Sequence, residues 1–292
     1  MDLSDLLRLE GVAPKDVLVL RHRPSEPELA RVLPWLADQC PDLFNAYQST
    51  QNPRAESALS NAGHLASFVV LDDGRVVFAG LYRNAGWSPM DQKTFCALDT
   101  HKELARFGMT GFAEAEESKT FKCFDLRLTE TFAEWKGRLV IDWPPPPIAW
   151  YRWANRNTFA VRAILEESAL NPPMPDWREL DLGWDELGVL PARWRSALAQ
   201  WRGIYQIYDA SDGMRYVGAA YGGENILGRW LNYAASGHGD NLLLKARDPR
   251  HFRFSILERV SPDMMPDDVI HLEGTWKQRL HTRDPAAGLN SN

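Results

Sequence analysis

Apolar residues recur along this chain with two different periods, and the switches between them mark out its elements. Leu3, Leu6 and Leu7 predict a short helix closed by Gly11, and residues 16–20 a strand. Ser25, with Glu28 three residues on, is placed as the N-cap of a helix carrying Leu29, Val32, Leu33 and Leu36 and ending before Pro41. The runs 66–71 and 76–82, joined through Asp72-Asp73-Gly74, predict a hairpin, and further strands are expected at 121–128 and 139–143. Leu190-Pro191 opens a helix through Ala199, with Trp194 and Leu198 on its packed side.

A second hairpin signal begins at Gly203-Ile204-Tyr205-Gln206-Ile207-Tyr208, turns through Asp209-Ala210-Ser211-Asp212-Gly213 and returns as Arg215-Tyr216-Val217-Gly218. With an even-length loop from Asp209 to Asp212, Tyr205 and Tyr216 are expected directly opposite each other, both phenols on one face. Residues 224–236 follow as a helix whose buried stripe is Leu227, Trp230, Leu231 and Ala234; Arg229 and Tyr233, four apart, share a neighbouring face. Residues 252–258 alternate with strand period, and 270–280 read as a helix holding Glu273.

Gly203-Ile204-Tyr205 followed by Tyr216-Val217-Gly218 resembles the paired motif of the GIY-YIG nucleases, which include homing endonucleases, the excision-repair incision subunit and several restriction enzymes. Arg229 after the second motif, Tyr233 one helical turn later, Glu273 on a late helix and a closing Asn continue the resemblance in order over about ninety residues. Asn290 is taken as that closing residue, with Asn292 competing for the place. The resemblance implies an α+β catalytic domain, a small three-stranded antiparallel sheet flanked by helices, that hydrolyses DNA phosphodiester bonds with Mg2+ or Mn2+ as cofactor. By the same resemblance Tyr216 takes a proton from the attacking water, Tyr205 positions that water or shares the proton, Arg229 stabilises charge on the phosphate, and Glu273 is the metal ligand. Tyr233 orients the scissile phosphate or assists a proton transfer; Asn290 bonds the phosphate or holds the Glu273 helix. A free phenol has a pKa of about 10, so Tyr216 needs a nearby cation to favour its phenolate. Several relatives carry a Lys directly after the second motif, where this chain has Ala219 and Ala220.

Other polar residues are candidates for substrate contact. Lys245, Arg247 and Arg250, with His251 and Arg253, form a basic cluster broken by Asp248; it is either a solvated loop or a contact to the nucleic-acid backbone. Lys277, one turn after Glu273, pairs with that carboxylate or touches the backbone, and His238 lies in a polar turn where a structural role is favoured.

Length and composition then bound the wider organisation. At 292 residues and 45% hydrophobic content the chain is long enough for two domains of ordinary size. Pro144 to Pro147 is a rigid segment, but apolar patterning continues through Leu165, so Asn171-Pro172-Pro173-Met174-Pro175 is the better linker. The boundaries expected are therefore 1–175, a mixed α+β domain for target recognition or partner binding, and 176–292, the nuclease domain with its leading helix. The strand at 77–82 faintly resembles those of PUA-like barrels. Trp35, Trp87, Trp135, Trp143, Trp150 and Trp153 all lie in the first domain; core filling is the favoured reading, stacking on an exposed base the other. The net charge of −6 arises entirely in the first two hundred residues, the remainder being balanced. Phosphate binding must then rest on local clustering, or the acidic first domain binds a protein partner. Three cysteines without Cys-x-x-Cys spacing, no basic leader and no long apolar run make a soluble cytoplasmic protein with no membrane partner the expectation. The reading adopted is a DNA endonuclease of restriction or defence against foreign DNA, a homodimer being one way for a single site to cut both strands and RNA remaining open as substrate. A nucleic-acid-binding or protein-interaction module with a degenerate site is the alternative.

Overall fold

The computed structural model describes residues 1–116, 119–146, 148–223 and 225–291; Pro147 of the proline run, Glu224 at the expected helix start and Asn292 lie outside the described residues. The chain divides into two compact units, Met1–Pro172 and Pro173–Asn292. No helix among the described residues is long and apolar enough to cross a membrane.

The first unit runs α1 (Leu3–Leu9), β1 (Val17–His22), α2 (Pro27–Gln39), α3 (Pro41–Gln48), α4 (Pro53–Leu59), β2 (His64–Val70), β3 (Val76–Asp91), α5 (Gln92–Ala97), α6 (Asp99–Ala105), β4 (Thr120–Leu128), β5 (Leu139–Ile141), β6 (Tyr151–Trp153) and β7 (Val161–Ile164). Its seven strands form one mixed sheet in the order β6-β1-β2-β3-β5-β7, with β4 also on β3. The β1–β2 pair is parallel, which is why β1 reads as an unbroken apolar run, and the others are antiparallel. The long β3 is buried throughout its first half, between β2 and β5, and alternates in its second half against β4.

Two expectations change here. The helix behind Ser25 begins at Pro27, whose missing N–H costs nothing in the first turn; Glu26 takes the cap position and Ser25 Oγ donates to Glu26 Oε2 at 3.2 Å. The core is filled by leucine, valine and phenylalanine, among them Leu3, Leu7, Val19, Phe68, Phe78 and Phe159. Trp35 is buried, but Trp135, Trp143, Trp150 and Trp153 are only half-buried, and Trp87 is exposed with Lys122 Nζ 4.3 Å from its ring centroid. An indole too large to be enclosed in this sheet sits at its margin instead.

The second unit contains β8 (Asp181–Gly183), α7 (Ala192–Gln200), β9 (Arg202–Asp209), β10 (Arg215–Ala220), α8 (Asn225–Ser236), β11 (Phe252–Val260) and α9 (Pro266–Arg279). The hairpin β9–β10 and strand β11 give the three antiparallel strands expected, and β8 adds a short edge, so the order is β10-β9-β11-β8. Helix α8 covers one face through Trp230 and Tyr233; α9 covers the other, Val269, Leu272 and Trp276 packing on Ile204 and Val217. Helix α9 starts four residues before the expected Ile270, since Pro266, Asp267 and Asp268 make a favourable first turn.

The hairpin register differs from the expected one by a single step. Asp209 N–H bonds the Met214 carbonyl at 2.9 Å, so Asp209 belongs to the strand and the loop is residues 210–213, still four long but shifted by one. Tyr208 then faces Arg215, and Tyr205 faces Gly218 rather than Tyr216. Asp209 is held there because its buried carboxylate accepts from Ser211 N–H at 3.0 Å, Ser211 Oγ at 2.6 Å and the Arg247 guanidinium. Gly213, with φ +83, supplies the left-handed turn residue. At the other end of β9 a side chain on Gly203 would run into the Glu258 carbonyl, where β11 bulges between Ile256 and Glu258.

His22 ends β1 with 4% of its surface exposed, its ring edge-on to Phe44 and Tyr47 at 5.4 and 5.3 Å. Burial lowers its pKa to about 4 from an unfolded value of 6.5, so the folded chain keeps it neutral. Below pH 6.5 the unfolded chain takes up a proton the folded one refuses. Stability present above that pH is therefore lost as pH falls toward 4, amounting to about 2 kcal/mol between pH 7 and pH 5. Urea unfolding should show this loss, and His22→Asn should reduce it.

Candidate active site

Three phenols converge on the α8 face of the sheet. Tyr205 and Tyr216 are diagonal neighbours across β9 and β10, so they share a face as expected, with ring centroids 6.4 Å apart. Tyr233 enters from α8 with its ring 6.1 Å from Tyr205 and 6.5 Å from Tyr216, and the Tyr205 and Tyr233 hydroxyls are hydrogen-bonded at 3.1 Å. The second motif glycine is explained by this packing: a Cβ on Gly218 would lie 2.5 Å from Tyr205 Cζ and 2.9 Å from Tyr216 Cε1. Gly218 is the gap through which the Tyr205 ring crosses the strand.

The stripe expected on α8 is rotated. Ile226, Leu227, Trp230 and Tyr233 are its buried residues, while Leu231 and Ala234 are only partly covered. Tyr233 is thus a fully buried member of the core rather than a surface aromatic, packed on Phe254 at 5.7 Å. Two supports of this ring carried little signal in sequence. Gly239, at φ +53, stands where any side chain would strike the Tyr233 ring, and Trp184 Nε1 donates to the Tyr233 carbonyl at 2.7 Å. A Gly-x-Gly turn was visible at 237–239, but not what it packs against.

Arg229 lies half-buried beside the phenols. Its neighbours, Tyr205 first, hold its pKa above the usual value, and its Nε is buried without a hydrogen-bond partner. Among the described residues no carboxylate pairs with it. Burial above all, then the charge of Tyr216, pushes the Tyr205 pKa up; burial and then Tyr205 and Tyr216 push up that of Tyr233. Both phenols therefore keep their protons. Tyr205 and Tyr233 are completely enclosed, whereas Tyr216 retains 9% exposure.

The remaining sequence-predicted residues divide between helix α9, the C-terminal tail and the loop after α8. Glu273 and Lys277 form an ion pair at 3.3 Å along α9, with Lys277 buried, and among the described residues no hydrogen bond or ion pair joins Glu273 to the phenol cluster. Among the described residues no three His, Cys, Asp or Glu side chains gather to hold a metal. Asn290 is spent on β10: its Oδ1 accepts from Val217 N–H and its Nδ2 donates to the Val217 carbonyl, both at 2.9 Å. Its own N–H bonds the Thr282 carbonyl at 2.9 Å, beyond the end of α9. Of the basic cluster, Arg247 clamps the hairpin through Asp209 and Asp212, Arg250 pairs with Asp248 at 2.5 Å, and Lys245 is exposed. His238 closes its own turn, Nδ1 accepting from Asp240 N–H at 3.0 Å. Ala219 packs against the Ile204 and Val217 cluster on the α9 face, away from the phenols.

No family model matches this chain, and no curated protein matches it either. Among solved structures it is similar to the catalytic domain of intron endonuclease I-TevI, in a point-mutant form. The identity is 25%, over 32% of this chain and 94% of that one, with a TM-score of 0.26.

Asn290 is buried and makes two bonds that nothing else supplies to Val217, the residue after Tyr216. Asn290→Ala should leave that buried N–H and carbonyl unpaired and destabilise the second unit by about 2 kcal/mol. Chemical denaturation checks the stability. Faster hydrogen exchange at Val217 would locate the damage on β10.

Proposed function

We propose that this chain is an endonuclease of the GIY-YIG type that hydrolyses DNA phosphodiester bonds, its second unit performing the chemistry and its first selecting the target, in restriction or other defence against foreign DNA. The observation that carries the proposal is Arg229: a partly desolvated guanidinium with no carboxylate among its described neighbours, beside three phenols of which Tyr216 alone is not fully enclosed. Such a cation is an anion site by default, since a structural arginine in that position would be expected to find a counter-charge.

In the mechanism inferred, the scissile phosphate lies on Arg229, whose fork matches two non-bridging oxygens and stabilises the charge that grows on them. The Tyr216 phenolate accepts the proton of the water that attacks phosphorus, and the bond to the leaving 3′ oxygen breaks, that oxygen taking up a proton from solvent. Tyr205 and Tyr233, kept neutral by burial, act as proton donors in hydrogen bonds and fix the position of the Tyr216 ring. The division of roles follows from enclosure, Tyr205 and Tyr233 being fully enclosed and Tyr216 keeping 9% exposure. Asn290 is a positioning residue that holds β10 rather than a ligand of the phosphate.

The metal fits this chain only in a limited way. Glu273 offers one carboxylate, shared with Lys277, which suits a hard cation held by one protein oxygen together with waters and the substrate's phosphate, and does not suit an ion bound by the protein alone. Bound there with DNA, Mg2+ or Mn2+ would neutralise phosphate charge and ease departure of the 3′ oxygen.

Plasmid and phage DNAs, modified and unmodified, incubated with Mg2+ or Mn2+ test the reading. Cutting should require the ion, fall by about 10²- to 10⁴-fold in Tyr216→Phe and by about 10²- to 10³-fold in Arg229→Ala, and be lost in Glu273→Ala. Equal rates in the parent and these variants would sink it. Tight binding of DNA without cutting, indifferent to metal, would instead identify a degenerate binding module.

A further inference from the structure

Strand β1 ends at His22, where the chain turns away toward α2, while β2 runs parallel beside it. The carboxyl end of a strand in a parallel pair is where open sheets hold ligands, and here it lies at a cavity of about 610 Å3, an ordinary volume for a small-molecule site. What reaches this cavity is the end of a buried chain of hydrogen bonds. Gln48 of α3, fully enclosed, accepts from Ser67 Oγ of β2 at 2.5 Å. Burial above all raises the Tyr82 pKa and the bond with Gln48 works against it, which requires the amide N–H to donate to the phenol oxygen. Burial dominates for His22 as well, lowering its pKa, and the bond with Gln48 again opposes it, which requires the ring to donate to the amide oxygen. The Gln48 amide is thus fixed in orientation, its oxygen toward Ser67 and His22 and its nitrogen toward Tyr82.

His22 Nε2 is buried and has no hydrogen-bond partner among the described residues, so the nitrogen that donates to Gln48 is Nδ1. In a neutral imidazole the other nitrogen is then an acceptor. The chain of bonds ends in a lone pair, on a side chain 4% exposed that lines the cavity. A buried acceptor left empty costs free energy, and a group bringing an N–H removes that cost. A carboxylate would meet the lone pair with lone pairs of its own, and a charged donor would lose its hydration against neutral side chains. Gln51, itself buried, lines the same cavity; its Nε2 donates to the Gln48 carbonyl at 2.7 Å, and its amide oxygen is a second acceptor. Tyr47, whose ring centroid is 5.3 Å from that of His22, and Trp150 add flat aromatic wall. An uncharged ring carrying an amino group brings what these walls lack, N–H donors together with a face to pack on the aromatics.

We propose that the first unit binds an uncharged, amino-substituted heteroaromatic ring through an N–H donated to His22 Nε2, with Gln51 accepting a second N–H and Tyr47 and Trp150 against the ring. The ring belongs to a free small molecule or is carried on a single strand of nucleic acid; only the second source rests on the nuclease reading.

The test uses the full chain with a chelator present, so that binding is read apart from cleavage. 9-Methyladenine, whose only N–H donors are those of its amino group, is titrated calorimetrically beside 9-methylpurine, the same ring without that group. 9-Methyladenine should bind, and 9-methylpurine about tenfold more weakly. His22→Phe keeps an aromatic ring and removes the acceptor, so most of the difference between the two probes should disappear. Trp150→Ala, at a half-buried position, should weaken both probes and leave their ratio as in the parent, a readout that holds even where the buried His22 substitution fails to fold. A short single-stranded deoxyadenosine oligomer that displaces bound 9-methyladenine identifies a strand-borne ring; one that does not identifies a free molecule. No binding of 9-methyladenine, equal affinities for the two probes in the parent, an unchanged ratio in folded His22→Phe, or tighter binding of the charged donor benzamidinium would each overturn the assignment. None of these outcomes depends on Tyr216 or Arg229, so the nuclease reading fails or survives separately.

Discussion

The second unit depends on the register between β9 and β10. Because strand side chains alternate with period two, a one-residue slip would send Tyr205 or Tyr216 to the α9 face among Ile204 and Val217. A slip of two would keep the face but remove Gly218 from beneath the Tyr205 ring, where the approach tolerates no Cβ. Several unrelated contacts therefore hold the same pairing. Asp209, tied to Ser211 and Arg247, sets the loop; Gly203 fits against the β11 bulge; and Asn290 forms a two-point bond with Val217 that imitates a neighbouring strand. The two motif glycines are thus steric requirements at opposite ends of the hairpin, one set by backbone and the other by a ring.

That pairing creates an expensive polar core. Tyr205 and Tyr233 are fully enclosed and satisfy each other's hydroxyls, while Trp230 beside them has a buried indole N–H with no partner, as has Arg229 Nε. Apolar residues of similar shape would give the same packing without these unpaired donors. These unpaired donors are confined to one face of a well-packed sheet. The opposite face, covered by α9, is ordinary apolar packing apart from the Glu273–Lys277 pair.

Most elements could be read directly from the sequence because each carries a strong local period: the two hairpins, α8, α9 and the strand at 252 all appear where apolar spacing puts them. The common face of Tyr205 and Tyr216 was also legible, since parity survives a shift of two in the paired positions. Their true partners were not, because which residue starts the loop depends on Arg247, thirty-eight residues away from Asp209. The same limit applies to Tyr233. Helical spacing left two nearly equivalent stripes, and the choice between them was made by Phe254 and the Tyr205 ring, which no local pattern reveals. Edge strand β8 is three residues long and has too little period to detect.

The basic residues show why counting charges along a chain is a poor guide to where an anion binds. The run from Lys245 to Arg253 has the highest local density of positive charge in the second half, yet its arginines are engaged by Asp209, Asp212, Asp248 and Asp181. They hold the hairpin, a turn and the edge strand together. Arg229 stands alone in sequence and is set among phenols, whose hydroxyls carry no full charge to cancel its own. A guanidinium beside aromatic hydroxyls, with no carboxylate among its described neighbours, is a property of the fold that the net charge of the second unit conceals.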